Sequence, residues 1–238
     1  MFPLREALLD ALAVLLPVEC AGCGTWDRGV CDACRECLAP AVTVREVGAR
    51  HPEEQLPVWA GLPYDGVARA VMLAFKAQQR MDAARVLAPA LAEAVRAAAT
   101  VVGISGVELV AVPGTRAGYR RRGYDPVQLL IARAGLGASR VFAPARPHAA
   151  QKRLGVDERD RNLRGTFRTR QSVAGRRILL IDDVVTTGAT LREAARVLRE
   201  GGAEVLGAAA VASTERRFGS TLAGKAPGSP HLKAERRP

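Results

Sequence analysis

Residues 178–190 read ILLIDDVVTTGAT. Four aliphatic residues, Ile178 to Ile181, run straight into two adjacent carboxylates, Asp182 and Asp183. Two valines follow, then Thr186, Thr187, Gly188, Ala189 and Thr190, all small and three of them hydroxylated. Small residues at a strand-to-helix turn leave backbone N–H groups uncovered. The helix N-terminus adds positive partial charge and the hydroxyls add donors, which together make a cradle for a phosphate monoester. Carboxylates beside such a cradle would repel the phosphate unless they served something else. Two vicinal ribose hydroxyls suit them, since each can donate to a carboxylate, and so does a Mg2+ ion that shares those hydroxyls. A sugar phosphate therefore accounts for both halves of the stretch. An ordinary strand–turn–helix, with Asp as turn former and Thr as N-cap, accounts for one Asp and one Thr only.

Outward from this stretch, strands alternate with helices. VELVAVP (107–113) reads as a short buried strand, 125–134 as a helix, RVFAPA (140–145) as a strand and RRILLIDD (176–183) as the most apolar strand. ATLREAARVLREGGA (189–203) is a helix closed by Gly201 and Gly202, and EVLGAAAVAS (204–213) is a last strand. Upstream, VWAGLPYDG (58–66) has strand character ending in a turn. Residues 66–80 place Val67, Val71, Ala74 and Phe75 on one helical face. Residues 82–99 form an Ala-rich helix that Pro89 kinks or restarts. This alternation indicates an α/β fold, a mostly parallel sheet with helices on both faces. Right-handed crossovers put the strands' C-terminal ends on one edge, where ligands bind, and Asp182 and Asp183 fall on that edge of a central strand. Residues 38–57 read as a polar linker and 215–238 as a basic disordered tail. The expected organisation is thus a Cys-rich module with an N-terminal helix and linker (1–57), an α/β domain (58–214) and the tail (215–238).

The chain has 238 residues, 48% of them hydrophobic but only 4% aromatic, so the core must be filled by small aliphatics. No apolar run reaches the ~18 residues of a membrane span. The spacing of Leu4, Leu8, Leu12 and Leu15 predicts an amphipathic helix, stopped by Pro17, rather than a signal peptide, and hence a cytoplasmic protein. The net charge of +11 is concentrated: 16 basic and 4 acidic side chains lie between 116 and 177. Such a block attracts a polyphosphorylated small molecule or nucleic acid.

Five cysteines lie within residues 20–37. Cys20, Cys23, Cys31 and Cys34 form C-x2-C-x7-C-x2-C, two knuckles that can close a tetrahedral structural zinc site. Cys37 follows at the same spacing, so Cys34 could pair with Cys31 or with Cys37; we take Cys31 with Cys34. The metal would hold a hairpin with too few apolar residues to fold unaided.

ILLIDDVVTTGAT resembles the phosphoribosyl diphosphate (PRPP) motif of type I phosphoribosyltransferases at every position. With the cysteine knuckles before it, and with YDGVARAVMLAFK, VAVPGTRAGYRRRGYDPVQLL and ARPHAAQKRLGVDERDRNLRGTF in order, the chain resembles the ComF family of competence-associated proteins. That resemblance implies a zinc-ribbon-like module joined to a type I phosphoribosyltransferase domain, binding PRPP with Mg2+. Asp182 and Asp183 would contact the ribose hydroxyls, and Thr186, Thr187, Gly188, Ala189 and Thr190 would hold the 5′-phosphate. The turn from Pro113 to Arg116 would be the diphosphate loop, with Arg116 and Arg120 to Arg122 supplying charge for the leaving group. Gln151, Arg159 and Asn162 match the family's mobile loop, and Arg116, Arg122 and Arg159 are the candidate catalytic cations. Two positions depart from the pattern: Asp125-Pro126 replaces an Asn–Gln pair, and Ala77 replaces the aromatic after Lys76, itself read as a helix-surface residue.

The implied reaction is displacement of diphosphate from ribose C1 by a nitrogen nucleophile, which needs little proton chemistry; His51, His148 and His231 receive no role. No segment names an acceptor base. Two alternatives stay open: a non-catalytic scaffold of the same fold that binds single-stranded DNA or serves the competence machinery in DNA uptake, and a PRPP sensor. The oligomeric state is not legible.

Overall fold

The computed structural model describes residues 18–27, 29–48, 55–103, 105–143 and 167–214. The N-terminal helix, the Arg-rich segment with Gln151, Arg159 and Asn162, and the basic tail lie outside the described residues. In chain order the elements are β1 (Val18–Glu19), β2 (Trp26–Asp27), α1 (Asp32–Glu36), β3 (Thr43–Val47), β4 (Leu56–Pro63), α2 (Gly66–Ala77), a 3-10 turn (Met81–Ala83), α3 (Ala84–Val102), β5 (Val107–Ala111), α4 (Arg116–Arg122), α5 (Pro126–Arg133), β6 (Arg177–Val185), α6 (Ala189–Glu200) and β7 (Glu204–Ser213).

β1 and β2 pair as a short antiparallel hairpin beside the cysteines. The other five strands form one sheet in the order β3-β4-β7-β6-β5. β4, β7, β6 and β5 run parallel, and only β3 is antiparallel. The mostly parallel α/β sheet expected from the alternation is therefore present, with β5 directly beside β6. The acid-bearing strand, however, stands one from the edge rather than at the centre.

Burial on both faces explains why β6 reads as a continuous aliphatic run. The pleat sends Leu179 and Ile181 to one face, into a core with Val71, Met72 and Phe75 of α2, Leu87 and Leu91 of α3, and Leu130 of α5. Ile178 and Leu180 go to the other, against Leu191, Ala194, Ala195 and Leu198 of α6. β7 is built of alanines where it crosses these layers: Ala208, Ala209, Ala210 and Ala212 are fully buried. Small side chains there let the covering helices approach closely. α3 runs unbroken through Pro89, so the proline neither ends nor restarts it.

Two stretches differ from the sequence expectation. Residues 43–47, placed in a linker, form the edge strand β3, whose alternating TVREV buries only Val47; one inward residue is too weak a periodic signal to read. Of RVFAPA, residues 140–143 are described and form no strand. Val141 and Phe142 are buried, but among the described residues the run makes one isolated bridge, Phe142 with Thr169, and Ser139 just before it makes another, with Val110. Helix α4 was not anticipated either, because its seven residues, RAGYRRR, carry no apolar stripe. None of the described helices is long and apolar enough to cross a membrane.

Gly61 marks the tightest helix–sheet approach. A Cβ there would stand 2.1 Å from the carbonyl oxygen of Ala90 on α3, a backbone atom that cannot swing aside. Gly61→Ala should cost about 1–3 kcal/mol by overpacking, read as a lower urea midpoint at unchanged slope.

Candidate sugar-phosphate site and cysteine cluster

The acids sit within β6 rather than at its last residue. The strand continues through Val184 and Val185, which stay in register with Ala212 and Ser213 of β7. Asp183 is 7% exposed, and its Oδ1 accepts a hydrogen bond from the Lys76 ammonium at 2.9 Å and another from the Val184 N–H at 2.7 Å. Lys76 lies in the last turn of α2 and is therefore a partner of the acid pair, not the free surface residue expected from the sequence. Asp182 is half-buried, and its Oδ1 accepts the N–H of Asp183 at 2.8 Å. Burial, and then the charge of Asp183 beside it, push the Asp182 carboxyl up to about 8, against the opposing pull of the Asp183 N–H and Lys76.

The turn after the acids is held from beneath by the strand that the sequence did not reveal. Arg45 of β3 donates to the carbonyls of Val185, Thr186 and Thr214, at 3.0, 2.6 and 2.9 Å. Gly188 has φ +75°, and a Cβ there would come within 2.7 Å of Val47, so both backbone conformation and space require glycine. Gly188 is also the N-cap of α6 and brings no side-chain acceptor to the first-turn amides. Thr187 Oγ1 accepts from Ala189 N–H at 3.3 Å, while Arg192 Nη1 donates back to the Thr187 carbonyl at 2.9 Å. Thr186 and Thr187 are exposed, Gly188 and Ala189 buried and Thr190 half-buried, so the first two threonines reach the surface beside a buried glycine and alanine.

The loop after β5 lies on the neighbouring strand. Thr115 caps α4 by accepting the Gly118 N–H at 3.1 Å. Arg122 curls back beneath the loop: a Cβ on Gly118 would meet its Nη2 at 2.6 Å, and its buried Nε has no hydrogen-bond partner among the described residues. Arg116 opens α4, and Arg159 lies outside the described residues. Beside the loop is an open cavity of about 810 Å3, walled in part by Gly114, Thr115, Tyr119, Arg120, Arg140 and Arg170. The acid pair and the 186–190 turn are not among its walls, so it adjoins the candidate site and does not coincide with it. Asp125, a departure from the family pattern, has a local use: it caps α5 by accepting the N–H groups of Val127 and Gln128, with Pro126 at the first helical position.

In the N-terminal module the sulfur atoms of Cys20, Cys23, Cys31 and Cys34 all lie within 4.8 Å of one another. Zn–S bonds of ~2.3 Å in a tetrahedron require sulfurs about 3.8 Å apart, and Cys23 and Cys31 are 3.7 Å apart. The donor set and spacing fit a tetrahedral metal. Cys37 is exposed and not part of the cluster. For Cys20, burial raises the thiol, but the N–H groups of Cys31, Cys23 and Gly22 outweigh it and bring it down to about 6, while burial and the neighbouring thiols push Cys34 up. Arg80, just past α2, ties this module down: it donates to the carbonyls of Glu19 and Gly29, both at 3.0 Å, and pairs with Asp82.

Because Asp182 holds its proton to a higher pH folded than the ~3.9 of an unfolded aspartate, folding takes up a proton between about pH 4 and 8. Its contribution therefore disfavours the folded state increasingly as pH rises through that window. Asp182→Asn removes the titration. Its urea midpoint should exceed that of the wild type at pH 8 and converge with it at pH 4.

Residues 128–221 match the phosphoribosyl transferase domain family. The DNA utilization protein YhgH of Salmonella typhimurium is 29% identical over 195 residues, covering 74% of this chain and 86% of that protein. YhgH of Escherichia coli is 35% identical over 100 residues, 40% of this chain and 44% of that protein. An orotate phosphoribosyltransferase from a Nocardioides species is 64% identical over 33 residues, 14% of this chain and 18% of that enzyme. The acid pair and the turn after it thus lie within the matched stretch: the chain carries a phosphoribosyltransferase-type domain and is ComF-like, similar to the DNA utilization protein YhgH.

Proposed function

We propose that the Asp182–Asp183 pair and the 186–190 turn bind the ribose 5-phosphate portion of PRPP, and that the four-cysteine cluster binds Zn2+ as a structural metal. One observation carries the first reading: the acid pair passes directly into a helix start whose N-cap is a glycine, so hydroxyl acceptors and phosphate donors adjoin on one rim. Thr186, Thr187 and Thr190 offer hydroxyls to the 5′-phosphate, and the first-turn amides of α6 add the helix's positive end. Asp182 and Asp183 accept from the ribose hydroxyls. The Pro113–Arg116 turn, after the strand beside them, is assigned to the diphosphate, with Arg120 and Arg121 as exposed cations of α4. Mg2+ would supply charge to the departing diphosphate, with Asp182 and Asp183 as the acids able to face it.

In the transfer, the C1–O bond to diphosphate breaks with its electron pair on oxygen, a nitrogen lone pair forms the C1–N bond, and the nitrogen's proton is released to solvent. The chain's part is placement and charge stabilisation rather than acid–base chemistry. The division into a cysteine module at 1–57, a transferase-type domain at 58–214 and a tail at 215–238 belongs to the same proposal, with β3 crossing from the first into the sheet of the second.

A second reading is favoured by the adjoining cavity. Arg120, Arg140 and Arg170 are exposed around it together with Tyr119, which pairs cations with an aromatic face, as a single-stranded nucleic acid requires. The relatives' name, DNA utilization protein, fits a family role in DNA uptake or use.

Calorimetry with PRPP and Mg2+ should show binding by the wild type and at least tenfold weaker binding by Asp182→Asn/Asp183→Asn; absence of heat from the wild type overturns the reading. Single-strand binding, if present, should weaken steeply with salt, and a flat dependence removes that alternative. Mass spectrometry under native conditions should find one zinc per chain in the wild type and in Cys37→Ser, and none in Cys31→Ser.

A further inference from the structure

We propose that Lys76 is a positioning residue for the sugar-binding acids: it stands against Asp183 where a divalent cation would otherwise stand, and so sets the pair's geometry from helix α2 rather than from a metal. The proposal rests on the sugar-phosphate reading and names how that site is held ready.

The geometry is specific. Asp183 lies on a strand face that is otherwise aliphatic core, and a carboxylate so far from water needs a counter-charge. Lys76 supplies it at 2.9 Å with a side chain that is one-third exposed. Among the described residues, the Lys76 ammonium and the Val184 N–H both donate to Asp183 Oδ1. Oδ2 takes neither of these donors. Asp182 makes no ion pair among the described residues, and its Oδ1 is spent on the Asp183 N–H. One resident positive charge therefore serves two carboxyl groups.

Lys76 is also fixed from both sides. The hydroxyl of Tyr124 donates to the carbonyl of Phe75, the residue before it, and the Phe75 and Tyr124 rings pack at 5.6 Å between centroids. Four residues on, Arg80 is anchored on Glu19 and Gly29 of the cysteine module. Val71, Met72 and Phe75 seat the same helix in the core. A mobile surface lysine would have none of these restraints. The last turn of α2 is further suited to a cation by the helix dipole. A divalent ion approaching the acids must then displace this ammonium or share the acids with it.

Mn2+ without any sugar phosphate is the direct probe, followed by electron paramagnetic resonance. Lys76→Gln should bind Mn2+ at least tenfold more tightly than the wild type, Lys76→Arg should match the wild type, and Lys76→Gln/Asp183→Asn should lose the gain. Lys76→Met runs in parallel should the Gln variant fail to fold. Equal Mn2+ binding by wild type and a folded Lys76→Gln or Lys76→Met overturns the proposal. PRPP binding adds a second reading: the neutral variants should lose about tenfold in affinity at low Mg2+ and recover at high Mg2+, whereas Lys76→Arg should not. The Mn2+ comparison needs no sugar phosphate, so failure of the wild type to bind PRPP would sink the proposed function while leaving the lysine's role to be decided by Mn2+ alone.

Discussion

Two adjacent aspartates, set within a strand buried on both faces, impose the main demand on this molecule. Charge in such a place must be paired, protonated or solvated. The structure divides these solutions between the two acids. Asp183 takes the ammonium of Lys76, while Asp182, half-buried beside it, keeps a proton to a pH far above that of a free aspartate. Neither solution is local to β6. Each depends on helices and strands laid over the sheet by other parts of the chain.

That demand explains the layout around the site. α2 must end where its last turn meets the acid strand, and its position is secured by core packing, by Tyr124 and by Arg80. Because Arg80 holds two carbonyls of the cysteine module, the metal-type cluster and the acid pair are fastened to the same helix. β3 performs the matching service for the phosphate-type turn. Its Arg45 gathers three carbonyls, from the ends of β6 and β7 and the turn between β6 and α6, and its Val47 fills the space that any side chain at Gly188 would claim. The glycine of the motif is thus small in order to admit β3.

Arginine in this chain serves several ends that the charge count merges. Arg45 is partly buried and holds three backbone carbonyls, Arg196 forms a two-pronged pair with buried Glu193, and Arg176 pairs with Glu108. Arg120, Arg140 and Arg170 instead line an open cavity. This last group answers to the expectation of a positive field available to a polyanion.

The sequence by itself determined the α/β class, the strand carrying the acids, the turn into α6 and the cysteines that come together, because each is written in consecutive residues or short fixed spacings. Hydrophobic runs, adjacent carboxylates, small-residue turns and CxxC knuckles need no knowledge of distant chain. Tertiary structure alone decided that Lys76 meets Asp183 across 107 residues and that Arg45 meets Val185 across 140. It also decided that β3 is a strand, since with one buried side chain its pairing with β4 leaves no periodic trace. The physical reason is common to all three. A lysine, an arginine or a weakly patterned edge strand takes its role from the partner that folding brings to it, and that partner's identity is not encoded in its neighbours along the chain.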